Sequence, residues 1–137
     1  MRKRCPSARF VGVARLPDHR LAFSRKSEKR GCGVADVIGT TEHDVWGVVY
    51  EIDDPEDLSR LDRCEGVLSG AYIRRDSQPV FLRENQEQPL RVSIYFAMKE
   101  DNPPLPNAEY KRLIVSGARF WQLPTKYINE LEQIAVT

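Results

Sequence analysis

The chain has 137 residues, of which 41% are hydrophobic and 30% are charged. This length suits one compact domain over residues 1–137, with a core large enough to enclose a small-molecule cavity. The 21 Lys and Arg residues oppose 20 Asp and Glu residues, which leaves a formal net charge of +1. Such a balance gives no global field to attract nucleic acid or an anionic membrane.

Cysteine usage and hydropathy indicate the compartment. Cys5, Cys32 and Cys64 are odd in number, widely spaced and free of any C-x-x-C pattern, which favours a reducing environment. No apolar run reaches the ~18 residues that a membrane helix needs, and no signal-type apolar stretch follows the basic start. The sequence therefore predicts a soluble, cytoplasmic protein.

The first half of the sequence alternates short apolar runs with polar connections, which is typical of β-strands. We predict four strands here, at residues 8–16, 19–24, 32–38 and 44–52. Pro17-Asp18 predicts a turn between the first two, and residues 39–43 a polar connection between the last two.

A helix is predicted directly after the fourth strand. Asp54 is a suitable N-cap, Pro55 fits the first helical position, and acidic residues follow at the positive end of the helix dipole. The helix should run to about Cys64, because Gly66 is a helix terminator.

The second half adds further strands and ends in helices. Extended segments are expected at residues 71–75 and 79–82 around a turn, and at 90–98, followed by a proline-rich loop at 101–106. Apolar residues then recur at helical spacing on both sides of Leu123-Pro124. Six or seven strands with one inserted and two terminal helices predict a mostly antiparallel α+β domain, closed into a small barrel whose mouth could bind a ligand.

Glu65 is the residue that local electrostatics single out. Arg60 and Arg63 suit the negative end of the predicted helix, whereas a carboxylate at position 65 does not. Helix carbonyls and partial burial would both raise the pKa of such a carboxyl, as a general base near neutral pH requires. An isolated Glu after a helix is nonetheless an ordinary surface residue about four times in five.

Other chemistries have weaker support. Cys64 with His19 or His43 could form a thiol nucleophile and base, at about one chance in twenty. The two isolated histidines offer too few ligands for a metal, so no metal site is expected. The basic clusters at residues 2–4 and 25–30 are better explained as solvated loops than as phosphate contacts.

Four segments of this sequence together resemble the γ-glutamylcyclotransferase family: ARFVGVARL at 8–16, DVWGVVY at 44–50, LDRCEG at 61–66 and GAY at 70–72. The C-terminal part resembles it as well, with Pro103-Pro104, Tyr110-Lys111, Gly117-Ala118, Leu123-Pro124 and Tyr127. The likeness runs in order through nearly the whole chain.

The resemblance implies a small mixed β-barrel with flanking helices that releases 5-oxoproline from a γ-glutamyl compound without a cofactor. By position, Glu65 matches the family's catalytic glutamate. Tyr72 and Tyr110 match tyrosines that line the substrate pocket, and Tyr95 is a weaker candidate for the same cavity. The expected partner is a small γ-glutamyl molecule.

The sequence departs from the family at its start. Relatives begin with a strand that ends in Tyr-Gly-Ser-Asn, a loop that holds the glutamyl end of the substrate. This four-residue sequence occurs nowhere in the 137 residues. The resemblance thus implies that the first strand is missing, and a homodimer that covers the open edge is one hypothesis. The alternative to an enzyme is a non-catalytic member that serves as a binding or interaction module.

Overall fold

The computed structural model describes residues 6–27, 32–64 and 72–136. Within them the chain forms four strands and three helices: β1 Arg9–Ser27, β2 Cys32–Glu51, α1 Pro55–Cys64, β3 Tyr72–Leu82, β4 Asn85–Ala97, α2 Ala108–Phe120 and α3 Thr125–Glu132. None of the helices in this part of the chain is long and apolar enough to cross a membrane.

The strands form one sheet in the order β2-β1-β3-β4. β3 pairs antiparallel with both β1 and β4. The α+β class, with an antiparallel sheet and flanking helices, is thereby confirmed. The closed barrel is not, because the sheet formed by the described residues has two ends, at β2 and β4. A ring of only four strands would also be too narrow to hold the side chains of an interior.

The prediction of six or seven short strands was wrong because three predicted interruptions are bends inside longer strands. Asp18 (φ 58°), Glu42 (φ 66°) and Ser77 (φ 59°) take left-handed backbone conformations without ending β1, β2 or β3. The Asp18 carboxylate also accepts the Glu42 N–H at 3.3 Å, which ties two of these bends together. Irregularities of this kind bend a strand while its pairing continues on either side.

The chain divides into two compact units. The first comprises Met1–Arg15 and Val48–Met98, and the second comprises Leu16–Gly47 and Lys99–Thr137. The expectation of a single domain over residues 1–137 stays a prediction. The core of the first unit contains buried Ala8 and Leu61, against which Tyr50, Ile52 and Tyr95 pack.

The start of α1 forms as the sequence predicts. The Asp54 carboxylate accepts the Glu56 N–H at 2.9 Å, and Pro55 is the first helical residue. Ser7 adds a link to the start of the chain, because its N–H donates to Asp57 at 2.8 Å and its Oγ accepts the Asp54 N–H at 3.3 Å. The first turn of α1 is therefore anchored to the residues just before β1.

The second unit contains both C-terminal helices, as the sequence predicts. Asn107 is the N-cap of α2, and its side chain accepts the Tyr110 N–H. Just beyond the C-terminus of α2, Gln122 adopts φ 54° and the Leu123 N–H donates back to Ala118 O at 3.0 Å. This pattern closes a helix C-terminus by satisfying its last carbonyls. Lys111 of α2 then donates to the carbonyls of Glu132 and Ile134 at 2.7 and 2.9 Å, so α2 caps the end of α3.

Among its described residues, the second unit buries three polar side chains, each of which has a hydrogen-bond partner. Ser24 Oγ donates to the Asp36 carboxylate at 2.7 Å, and both residues are buried. Burial raises the pKa of Tyr127 on α3 to about 12; a hydrogen bond with the Trp46 backbone lowers this pKa and nearby Glu130 raises it. The phenol therefore stays neutral well above its ordinary pKa of 10.0.

Asp57→Asn tests the anchor of α1. Hydrogen bonds from the Ser7 side chain and backbone, with the Arg60 guanidinium, hold the pKa of Asp57 below its ordinary 3.8 although burial opposes them. The ionised carboxylate therefore stabilises the fold above pH 3.8, and this contribution is lost as the pH falls through the lower folded-state pKa. Urea unfolding should show the variant less stable than wild type at neutral pH, with the gap closing in acid.

Glu56→Gln is the matched control, because it removes one exposed carboxylate from the same first turn. It should stay close to wild type across the series. An Asp57→Asn protein as stable as wild type at neutral pH would contradict the anchor.

Tyr127→Phe tests the buried phenol at alkaline pH. Because its pKa is raised in the fold, the unfolded state ionises first, and stability is fully present below pH 10.0 and falls as the pH rises toward 12. Urea unfolding at several alkaline pH values should show a shallower decline for the variant than for wild type. Equal slopes would contradict burial of the hydroxyl.

Candidate active site

Glu65 lies outside the described residues, as do residues 66–71. The structure does show the element that leads to it, because α1 ends at Cys64, where the sequence predicted. Arg63 lies in the last turn, as the helix dipole favours. The role of Glu65 stays a prediction.

Tyr72 and Tyr95 lie on one face of the β3–β4 pair. In the register of the two strands, Tyr72 opposes Ala97 and Arg74 opposes Tyr95. Side chains alternate along a strand, and directly opposed residues point to the same side of a sheet. Tyr72, Arg74 and Tyr95 therefore share a face, and all three are half-buried whereas Ile73 and Arg75 are exposed.

Asp62 of α1 contacts two of the residues on this face. Its carboxylate accepts the Tyr95 hydroxyl at 2.5 Å through one oxygen and the Arg74 guanidinium at 2.7 Å through the other. Arg74 contacts Asp76 as well, at 3.2 Å. We call Asp62, Arg74 and Tyr95 the Asp62 cluster.

The Asp62 cluster is electrostatically matched and partly shielded. The side chains of Arg74 and Asp62 are 25% and 22% exposed. Burial lowers the pKa of Arg74, but the charges of Asp62 and Asp76 outweigh that effect, and the net result is a raised pKa. Hydrogen bonds between ionised partners of this kind are short and about twice as strong as neutral ones.

Tyr110 belongs to the second unit. Its hydroxyl accepts the Ala35 N–H at 3.0 Å, and its ring meets Phe23 edge to face, with centroids 6.3 Å apart. These contacts fasten α2 to β1 and β2 within that unit. The structure thus places Tyr72 and Tyr95 on one face of the β3–β4 pair. The hydrogen bond and the ring contact described for Tyr110 are with Ala35 and Phe23.

The described parts of the chain include two surface depressions. One, of about 370 Å³, lies along α1 between Pro55 and Arg63. The other, of about 440 Å³, is in the second unit, where it is lined by Trp46, Tyr127 and charged residues of both signs. None of the predicted substrate-binding tyrosines lines either depression.

The weaker alternatives gain nothing from the structure. Nδ1 of His19 lies 2.9 Å from Pro17 O, and Nδ1 of His43 lies 3.1 Å from Thr41 O, so each ring contacts a carbonyl two residues earlier. The side chain of Cys64 is outside the described part of the chain. Among the described residues, no group of three or more His, Cys, Asp or Glu side chains could hold a metal ion.

Sequence reasoning missed Asp62 and Arg74. Their opposite charges were visible, but the residues lie 12 positions apart on different elements, so no helical or strand spacing linked them. The available signal was a charged residue at an inward position of β3, where Arg74 alternates with exposed neighbours.

Comparison with solved structures defines the class of protein. A structure named γ-glutamyl cyclotransferase superposes with a TM-score of 0.89 at 30% identity, over 99% of this chain and 80% of that one. YkqA from Bacillus subtilis superposes with a TM-score of 0.74 at 22% identity, over 93% of this chain and 46% of YkqA. At this identity the likeness shows a common fold only. The described elements therefore form a γ-glutamylcyclotransferase-like fold.

Sequence comparison gives the family. Residues 44–131 match the model of the AIG2-like family. Curated γ-glutamylcyclotransferases from Mus musculus and Homo sapiens are 37% and 36% identical, each over 96% of this chain and 69% of the relative. The chain belongs to the AIG2-like family, as a relative of the γ-glutamylcyclotransferases.

Proposed function

We propose that the protein is a γ-glutamylcyclotransferase, which converts a γ-glutamyl amino acid or related γ-glutamyl compound into 5-oxoproline and a free amine. The observation that carries the proposal is the 37% identity with a curated enzyme of that name over 96% of the chain. The likeness of fold supports it. The alternative, a non-catalytic binding or interaction module, is not favoured by this match.

The reaction needs one well-placed base. The α-amine of the substrate attacks the γ-carbonyl carbon of the same molecule, a C–N bond forms, and the bond to the departing amine breaks. One carboxylate can take the proton from the attacking nitrogen and deliver it to the leaving nitrogen, so no covalent enzyme intermediate is required. In this proposal Glu65 is that general base and acid.

Holding the substrate in its ring-closing conformation would supply much of the acceleration. Tyrosines suit this task, because a rigid ring carries a hydroxyl that both donates and accepts hydrogen bonds. We assign the substrate pocket to Tyr72 and Tyr110, with Tyr95 as the weaker candidate. Tyr72 and Tyr95 share one face of the β3–β4 pair.

Several further features belong to the same proposal. The enzyme would act in the cytoplasm on γ-glutamyl compounds of glutathione metabolism, with no cofactor, nucleic acid or membrane partner. Pairing with a second copy through an open strand edge stays a prediction, which light scattering would test.

Glu65→Gln tests the proposed base. The amide keeps the size of the side chain but cannot accept the proton, so kcat should fall at least ~100-fold, the lower end of what general acid–base catalysis contributes. Purified protein would be incubated separately with γ-glutamyl-alanine and with glutathione, and 5-oxoproline measured.

Glu56→Gln serves as the control, since it makes the same change on the exposed first turn of α1 and should leave kcat unaltered. If the wild-type protein forms no 5-oxoproline, the proposed enzymatic function is refuted. If Glu65→Gln retains turnover, the assignment of Glu65 as the base is refuted.

A further inference from the structure

The hydroxyl of Tyr95 is already committed to another side chain. It donates to the Asp62 carboxylate at 2.5 Å, and a phenol carries only one proton to donate. Tyr95 cannot donate to a substrate without breaking this charge-assisted bond. The described geometry therefore favours a role that Tyr95 exerts through Asp62.

Asp62 lies in the last turn of α1, two residues before the helix ends at Cys64. The bonds to Tyr95 and Arg74 thus connect this turn directly to the β3–β4 pair. The opposite end of the helix is held by Ser7, which binds Asp57 and Asp54. α1 is fastened at both ends, by separate sets of hydrogen bonds within one unit.

Such fastening matters because α1 has only ten residues. Isolated helices of this length are marginal in water, so packing and side-chain contacts must set its position. Leu61 supplies apolar packing, which is non-directional. The Asp62 cluster adds directional bonds, which fix the rotation of the last turn of α1 and its distance from the β3–β4 pair.

We propose that Asp62, Arg74 and Tyr95 are positioning residues for the cyclotransferase reaction, which hold the last turn of α1, three residues before Glu65 in the sequence. This inference rests on the proposed function of Glu65. It assigns Tyr95 to the support of the base and not to contact with the substrate.

Tyr95→Phe and Asp62→Asn test the cluster. Each keeps the shape of its side chain and weakens the hold on the last turn of α1. Misplacement of a catalytic group by about 1 Å can cost up to ~100-fold in rate, so we expect kcat to fall about 10- to 100-fold. KM should change less than about threefold, because the residues that grip the substrate are untouched.

Stability and the matched control separate positioning from loss of fold. Arg74 keeps its contact with Asp76 when Asp62 is altered, and the cluster is partly exposed, so both variants should unfold near the wild-type urea midpoint.

Tyr50→Phe is the control, because Tyr50 packs against the same apolar core and its ring meets Phe10 edge to face. Its kcat and KM should match wild type.

A second readout does not depend on turnover. Amide hydrogen exchange at Leu61 and Asp62 in the last turn of α1 should quicken in Tyr95→Phe and stay unchanged in Tyr50→Phe. Unchanged exchange in Tyr95→Phe would overturn the hold on the helix.

The outcomes distinguish the two proposals. If Glu65→Gln is inactive while Tyr95→Phe and Asp62→Asn retain wild-type kcat, the positioning role is overturned and the proposed function stands. If the two variants raise KM and leave kcat unchanged, Tyr95 contacts the substrate and the inference is overturned. Activity that survives Glu65→Gln would overturn the proposed base, and the positioning of it as well.

Discussion

The attachment of α1 to the β3–β4 pair through Asp62 is the interaction on which the candidate site depends. A carboxylate with an arginine on one oxygen and a tyrosine hydroxyl on the other has its geometry set from two sides. Because the two partners come from adjacent strands in register, the sheet fixes where the carboxylate can lie. Helix and sheet are thus joined by directional bonds as well as by apolar packing.

Several features of this arrangement follow from local sequence. Asp54 and Pro55 specify where α1 starts because capping and the fixed φ of proline act within a few residues. The two C-terminal helices follow likewise from apolar spacing and from the break at Leu123-Pro124. These elements were predictable because their causes are local.

The lengths of the strands were not predictable in the same way. Asp18 and Glu42 lie in a predicted turn and a predicted polar connection and do adopt left-handed conformations, yet β1 and β2 continue through them. A left-handed residue therefore did not end either strand, although the local signal was itself correct. Closure of the sheet likewise depends on which strands meet, and no alternation pattern along the sequence determines that.

The residues of the candidate site also differ in whether the sequence could predict them. Family resemblance was enough to nominate Tyr72 and Tyr95, and the register of β3 and β4 then placed them on one face. The partnership of Asp62 with Arg74 could not be derived, since it requires both that register and the rotation of α1. Family resemblance can therefore nominate single residues, whereas the side-chain partnerships among them emerge only from the fold.

A double-mutant cycle on kcat between Tyr95→Phe and Asp62→Asn tests this account most directly. If both side chains act through the same bond, the double variant should be little slower than the slower single variant, because the first change already removes what the second would. Losses that multiply would mean that the two residues act independently, and would contradict the claim that they hold α1 together.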